Sequence, residues 1–343
     1  KGFVFERVKE KTAVSVLVTF KDAGKKIIQR RFMKSVKKRI KKFFPPWARD
    51  AYEIAKLLPR FFHAENQERK RWMPAVSFYS DQETVNLIIT QRKSLSRFGD
   101  GEFRWMLGKT ERSFQQSSEQ LARELIKTFQ NTNPDLLLGV PVGMFDSSGC
   151  KRYAKIWWKI VKWEIFSQIT PYVDYGRTYC NASITRPYID YTDWEWSRNC
   201  FQNIRRIWDG RDCIFVEGEN TKLGVGNDLF DNAASIKRIL CPAENAFERI
   251  TEIEEAIRVY ARPDTLVLGA LGPTASILAA HMCAEGFQFV DIGHIDLEYI
   301  WFLRRATRRE PVPGKYVNEC EGQLLPDTGE DVMYRASILR TIH

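Results

Sequence analysis

Short apolar runs recur along the chain at Leu136 to Val140, Thr178 to Ser183, Cys213 to Val216, Arg238 to Cys241, Thr265 to Gly269 and Phe287 to Ile292. Between most of them the apolar residues fall at helical spacing, as over Lys151 to Phe166, Glu244 to Tyr260 and Thr274 to Ala284. Runs of this length read as strands buried on both faces, and their alternation with helical patterns predicts an α/β fold, a mostly parallel sheet flanked by helices. Ser80-Asp81-Gln82-Glu83 is a capping-box signature that opens a helix through Val85, Leu87, Ile88 and Ile89. A further helix is expected around Glu119 to Phe129, and an apparent strand ends just before Asp100. The window Thr265 to Ala284 has 20 residues without an acid, Lys or Arg, long enough to span a bilayer. Gly269, Gly272 and Pro273 divide it, so it reads as a buried strand, a turn and a helix.

The N-terminal region follows another pattern. Met33, Val36, Ile40, Phe43 and Phe44 share one helical face, Lys and Arg fill the rest, and Pro45-Pro46 ends the run. A second apolar stripe, Trp47, Ala51, Ile54, Leu58 and Phe61-Phe62, is interrupted by Pro59. The folded body is expected to begin near Trp72. This gives a basic helical extension over 1–71, a catalytic domain over 72–314 and a tail over 315–343. The chain opens on Lys1, and Met33 is an alternative start.

Charge sharpens this division. The 343 residues carry a net charge of +10, but residues 1–45 hold 15 Lys/Arg against 3 Asp/Glu, a balance of +12 that leaves the other 298 residues at −2. A basic segment on a near-neutral body argues against a nucleic-acid partner, which would need a basic patch on the folded surface. The helix over 33–44 suits peripheral contact with an anionic membrane surface; a solvated tail or a helix docked on a protein is the alternative. The seven cysteines are scattered without a Cys-x-x-Cys pair, which fits a reducing interior and neither a disulfide framework nor a zinc site. With no secretory signal evident, a cytoplasmic location is expected, at the inner face of the membrane if the basic helix binds there.

Ligands of open parallel sheets gather beyond the carboxyl ends of the strands, and four stretches sit there. Ser96-Arg97-Phe98-Gly99-Asp100-Gly101-Glu102-Phe103 places two carboxylates two residues apart on what reads as a turn. Such a pair can hold a divalent cation and leave coordination positions for phosphates, although Asp-Gly is also ordinary turn chemistry. Thr185-Arg186-Pro187-Tyr188-Ile189-Asp190 offers a cation and a carboxylate, or a salt bridge that pins a loop. Val216 to Asp228 runs from a strand through Thr221, Gly224, Gly226 and Asn227 into an expected helical start at Leu229 to Ala234. Glycines there would let backbone N–H groups approach phosphate oxygens. The stretch is neither a Walker A loop nor a dinucleotide fingerprint, and a plain Gly-rich turn is the alternative. Leu271-Gly272-Pro273-Thr274 opens a helix after a buried strand, and Asp291-Ile292-Gly293-His294-Ile295-Asp296-Leu297-Glu298 ends the next strand with several titratable groups, of which Asp296 also reads as a helix cap. Among the tryptophans, most of them core candidates, Trp194 and Trp196 are the pair that suits sugar stacking.

Taken together, Arg97-Phe-Gly-Asp-Gly-Glu102, Thr185-Arg-Pro-Tyr-Ile-Asp190, Gly224-Val-Gly-Asn-Asp228, Leu271-Gly-Pro-Thr274 and Asp291-Ile-Gly-His-Ile-Asp296 resemble the GT-D-type glycosyltransferases, over roughly Ser77 to Arg305. The family was first catalogued as a domain of unknown function and occurs in bacterial surface-glycan and adhesin glycosylation clusters. The resemblance implies a Rossmann-like fold in which an Asp-x-Glu motif, here Asp100 and Glu102, engages Mn²⁺ or Mg²⁺ and the diphosphate of a nucleoside-diphosphate sugar, a UDP-sugar first among them. Arg97, Gly99, Arg186, Thr221, Gly224, Gly226, Asn227, Thr274 and His294 are then the expected donor contacts. Asp190, Asp296 and Glu298 are the candidate bases for a glycan or glycoprotein acceptor. Two other readings stand beside this one: another nucleotide- or phosphate-dependent transferase, such as a pyruvyl-type enzyme, and a non-catalytic sugar-nucleotide-binding module.

Overall fold

The computed structural model describes residues 46–109, 114–317, 320 and 332–343. The chain divides into two compact units, Lys1–Leu58 and Pro59–His343. The basic helix expected over 33–44 lies outside the described residues. Helix α1 (Pro46–Lys70) runs through Pro59 instead of breaking there.

Among the described residues nine strands form one parallel sheet: β1 (Ser77–Phe78), β2 (Ser94–Arg97), β3 (Leu136–Val140), β4 (Thr178–Asn181), β5 (Asp212–Gly218), β6 (Ser235–Cys241), β7 (Leu266–Ala270), β8 (Gln288–Asp291) and β9 (Ile338–Thr341). Their order is β1-β4-β3-β2-β8-β7-β5-β6-β9. Helices α2 (Asp81–Thr90), α3 (Asp100–Met106), α4 (Glu119–Phe129), α5 (Arg152–Val161), α6 (Trp194–Arg205), α7 (Ile250–Tyr260), α8 (Pro273–Ala284), α9 (Ile295–Leu303) and α10 (Val332–Ser337) complete the fold. Every residue of β3, β7 and β8 is buried, because helices cover both faces. The pleat divides β3 between two cores: Leu136, Leu138 and Val140 join Leu121, Leu125, Ile253 and Ile277, while Leu137 joins Val85, Ile88, Phe201 and Ile204.

The expected capping box is present: the Ser80 hydroxyl accepts from the Glu83 amide at 3.2 Å, and the Glu83 carboxylate accepts from the Ser80 amide at 2.8 Å. Three expectations change. Leu229 to Ala234 forms turns rather than a helical start. The helix expected from Glu244 begins at Ile250, after a 3-10 turn over Ala246–Arg249. The tail over 315–343, which gives little pattern in sequence, supplies β9, paired in parallel with β6.

The strand order reverses at the β2–β8 pair, where Leu95 lies beside Val290. After β2 the chain moves to β3 on one side, whereas after β8 it passes through α9 toward the edge that holds β9. Such a switch point opens a crevice beyond the strand ends, which here brings the segment after Arg97 face to face with the segment after Asp291.

Candidate active site

A cavity of about 480 Å³ opens at this switch point. Its charged lining consists of Arg97, Asp100, Glu102, Arg186, Asp190, Asp291 and Arg309, with His294 beside them, and Trp105, Tyr153, Trp157, Trp158 and Tyr191 among its aromatic side chains. A smaller space of about 50 Å³ adjoins it, sharing Phe114, Gly272 and His294 and reaching Gly218, Asn220 and Thr221 at the end of β5.

Asp100-Gly101-Glu102 is the first turn of α3 and not a free-standing turn. Carboxylates are favoured there by the helix dipole, and Glu102 Oε2 accepts from the Gly99 amide at 2.9 Å, closing the helix start. Burial raises the Asp100 carboxyl above its usual range, against the opposing pull of Arg104, Arg186 and Arg309. Burial also pushes Glu102 up to about 7, with Asp291 adding to the rise and the Glu102 and Gly99 amides and Arg97 opposing it. A divalent cation placed between the two carboxylates would favour their ionised forms against this effect. Among the described residues no three His, Cys, Asp or Glu side chains converge to hold a metal. A cation here would take Asp100 and Glu102 as its protein ligands and the rest of its shell from water and substrate oxygens, the usual habit of Mg²⁺.

Not every expected donor contact reaches the cavity. Arg97, Gly99, Arg186 and His294 line it, and Thr221 lines the smaller space. Gly224 and Asn227 face inward on Asp296 instead. The Gly224 amide and the Asn227 side-chain amide donate to Asp296 Oδ1 at 2.9 and 2.7 Å, and Lys315 pairs with Oδ2. Gly226 is exposed and Thr274 is fully buried, and neither lines these spaces. At Gly224 and Asn227 the glycine stretch is thus engaged by the protein's own carboxylate where phosphate contacts were expected.

The three candidate bases separate in the same way. Asp190 lines the cavity and accepts from Arg309 at 2.7 Å. Asp296 is 1 % exposed and held by the partners just named. Glu298 is fully buried: its Oε2 accepts from the Tyr188 and Ile189 amides at 3.3 and 3.0 Å, and Arg186 Nε lies 3.5 Å from Oε1. Glu298 thereby shapes the loop that presents Arg186 and Asp190, and both buried acids stand away from the cavity.

The family model described as the glycosyltransferase GT-D fold matches residues 95–320. The chain belongs to the GT-D-fold glycosyltransferase family. It is 36 % identical over 269 residues to the glycosyltransferase GlyD of Streptococcus pneumoniae serotype 4, covering 76 % of this chain and 32 % of that protein. It is 32 % identical over 284 residues to the probable glycosyl transferase Gly of Streptococcus gordonii, covering 81 % and 40 %. The chain thus spans between about a third and two fifths of the length of these curated relatives. A solved structure of domain of unknown function 1792, described as having a distinct glycosyltransferase fold, superposes with a TM-score of 0.74 at 30 % identity, over 85 % of this chain and all of that one. A glycosyltransferase of the same domain from Streptococcus sanguinis gives 0.72 at 30 % identity, over 78 % and 100 %.

Within this GT-D domain, sequence reasoning missed several cavity residues. Arg309 lies on the segment after α9, beyond the stretch that carries the resemblance, and reaches the cavity because Ala306, Val312 and Val317 pack on Trp301 and Ile300 in a small core of their own. The aromatic wall comes from α5, whose Tyr153, Trp157 and Trp158 are spaced as helical neighbours; that spacing was the signal available. Trp194 and Trp196 lie elsewhere, Trp194 stacked on Phe302 at 5.0 Å under the Arg305 guanidinium and Trp196 against Tyr191 at 4.5 Å.

Proposed function

We propose that this GT-D domain transfers a sugar from a nucleoside-diphosphate donor to a glycan or glycoprotein acceptor, with a divalent cation held by Asp100 and Glu102. The observation that carries this reading is the charge of the cavity. Its lining sets Arg97, Arg186 and Arg309 against Asp100, Glu102, Asp190 and Asp291, so without a cation it is poorly suited to a diphosphate. Asp100 and Glu102 would hold a Mn²⁺ or Mg²⁺ that reverses that balance and would supply Lewis acidity toward the diphosphate. In this reading Arg186 and Arg309 add charge on the side facing Asp100, and Asp190 takes the proton from the acceptor hydroxyl. The aromatic wall of α5 gives sugar rings an apolar face.

The test is Asp100→Asn with Mn²⁺ saturating. Turnover is expected to fall by about 10²-fold or more, the loss that follows when several kcal/mol of charge stabilisation disappears. A thermal-shift screen of nucleotide sugars should show a rise for one donor only when metal is present. Full turnover by the variant would overturn the metal assignment. A wild type that binds a sugar nucleotide but yields no product with any acceptor would make the domain a binding module.

A further inference from the structure

Arg97 lines the cavity, yet its guanidinium is committed elsewhere. Nε donates to the Asp291 carbonyl at 2.7 Å, one terminal nitrogen donates to Asp291 Oδ1 at 2.8 Å, and the other donates to the Ala182 carbonyl at 3.0 Å and Thr185 Oγ1 at 2.8 Å. The Arg97 carbonyl accepts from Ser276 Oγ on α8 at 2.8 Å, and the Gly293 amide donates to Asp291 Oδ1 at 3.0 Å. The side chain is only 12 % exposed. Gly293 has a φ of +46°, and a Cβ there would stand 2.1 Å from the guanidinium, so the backbone lies directly against Arg97. One side chain thereby ties together the end of β2, the end of β8 and the turn after β4.

We propose that Arg97 is a positioning residue: it fixes the Gly99–Glu102 helix start against the Gly293–His294 turn across the cavity and does not bind the donor's phosphates. The proposal rests on the glycosyl-transfer reading for its kinetic consequence and on geometry alone for the tie. Two segments that meet across a reaction site lose rate steeply when their separation drifts, by about 10²-fold for an error of 1 Å. Thr185 separates this role from direct binding. It is buried and stands outside the cavity, next in the chain to Arg186, and its hydroxyl meets the site through Arg97.

The experiment compares Arg97→Lys, Thr185→Val, Thr185→Ser and the Arg97→Lys/Thr185→Val double variant. Calorimetry gives the donor Kd, steady-state assays give kcat normalised to folded protein, and amide spectra cover Glu102 and His294. Expected are a donor Kd within about threefold of wild type, a kcat lower by about 10²-fold for Arg97→Lys and about tenfold for Thr185→Val, and recovery in Thr185→Ser. The double variant should be no worse than Arg97→Lys alone, since both act through one tie. Thr185→Val should also move the Glu102 and His294 amide resonances. A donor Kd raised tenfold with kcat preserved would make Arg97 a phosphate ligand and overturn the proposal. So would a Thr185→Val protein with wild-type kcat and unmoved resonances, or losses that vanish on normalisation to folded protein. A wild type without transferase activity would sink the functional reading, while the resonances still decide on the tie.

Discussion

Asp296 shows how residue type and residue role part company. In sequence it is one carboxylate among several beyond β8, equally able to be a base, a cap or a ligand. Its surroundings decide: both oxygens are taken, by Gly224 and Asn227 on one side and the buried Lys315 ammonium on the other. Those partners lie 69 and more residues upstream and 19 downstream, distances over which neither spacing nor periodicity carries information. Asp296→Asn removes the countercharge of a lysine that is 3 % exposed. The expected result is a loss of about 3–5 kcal/mol, the usual cost of leaving one partner of a buried pair uncompensated, measured by urea unfolding of the variant against wild type. Were Asp296 the catalytic base instead, the variant would unfold like wild type and fail only in turnover.

At the scale of elements the sequence was far more informative, because apolar runs and caps are local. Leu136–Val140 and Glu119–Phe129 have the bounds that periodicity predicts, and the capping box at Ser80 marks the start of α2. What binds elements to one another was not legible. His281 on α8 is an example: its Nδ1 lies 2.7 Å from Glu254 on α7 and its Nε2 lies 3.3 Å from Glu124 on α4, so one ring bridges three helices. The bond to Glu254 is the main reason its pKa is raised, with Glu124 adding to the effect and burial opposing it. A raised folded-state pKa means that protonated His281 stabilises the fold fully below its unfolded value of about 6.5, and that this contribution is lost as pH rises through the folded value. The difference in Tm between wild type and His281→Gln is therefore expected to be widest near pH 5.5–6 and to close in alkaline buffer. A gap that stays constant over that range would mean that the ring acts by packing and not by charge.

For the whole molecule, the decisive feature is the sheet order, which places the Asp100 segment opposite the His294 segment at a reversal no local pattern announces. Alternating strands and helices specified a parallel sheet, and the motif order specified the family, but β9 was invisible because Ile338–Thr341 is a short, half-exposed edge strand after an unpatterned segment. The contribution of α10 and β9 reaches the site through one buried arginine. Arg238 on β6 pairs with Glu217, donates to Ser337 Oγ at 3.0 Å and lies between the rings of Phe215 and Tyr334 at 4.9 and 4.6 Å. Glu217 in turn accepts from the Leu223 amide at 2.7 Å and so anchors the glycine stretch whose first residues, Gly218, Asn220 and Thr221, line the smaller space. Deleting residues 332–343 strips the outer ring and hydroxyl from Arg238, opens a buried ion pair to water and leaves the β6 edge unpaired. An unpaired edge is a template for association. A loss of about 2 kcal/mol in a domain of this size lowers Tm by about 3–4 °C, so the truncated chain is expected to melt earlier by that margin and to associate as its concentration rises. Scanning calorimetry with light scattering decides the matter: an unshifted, monodisperse transition would show that β9 is dispensable and that the anchoring of the glycine stretch ends at Glu217.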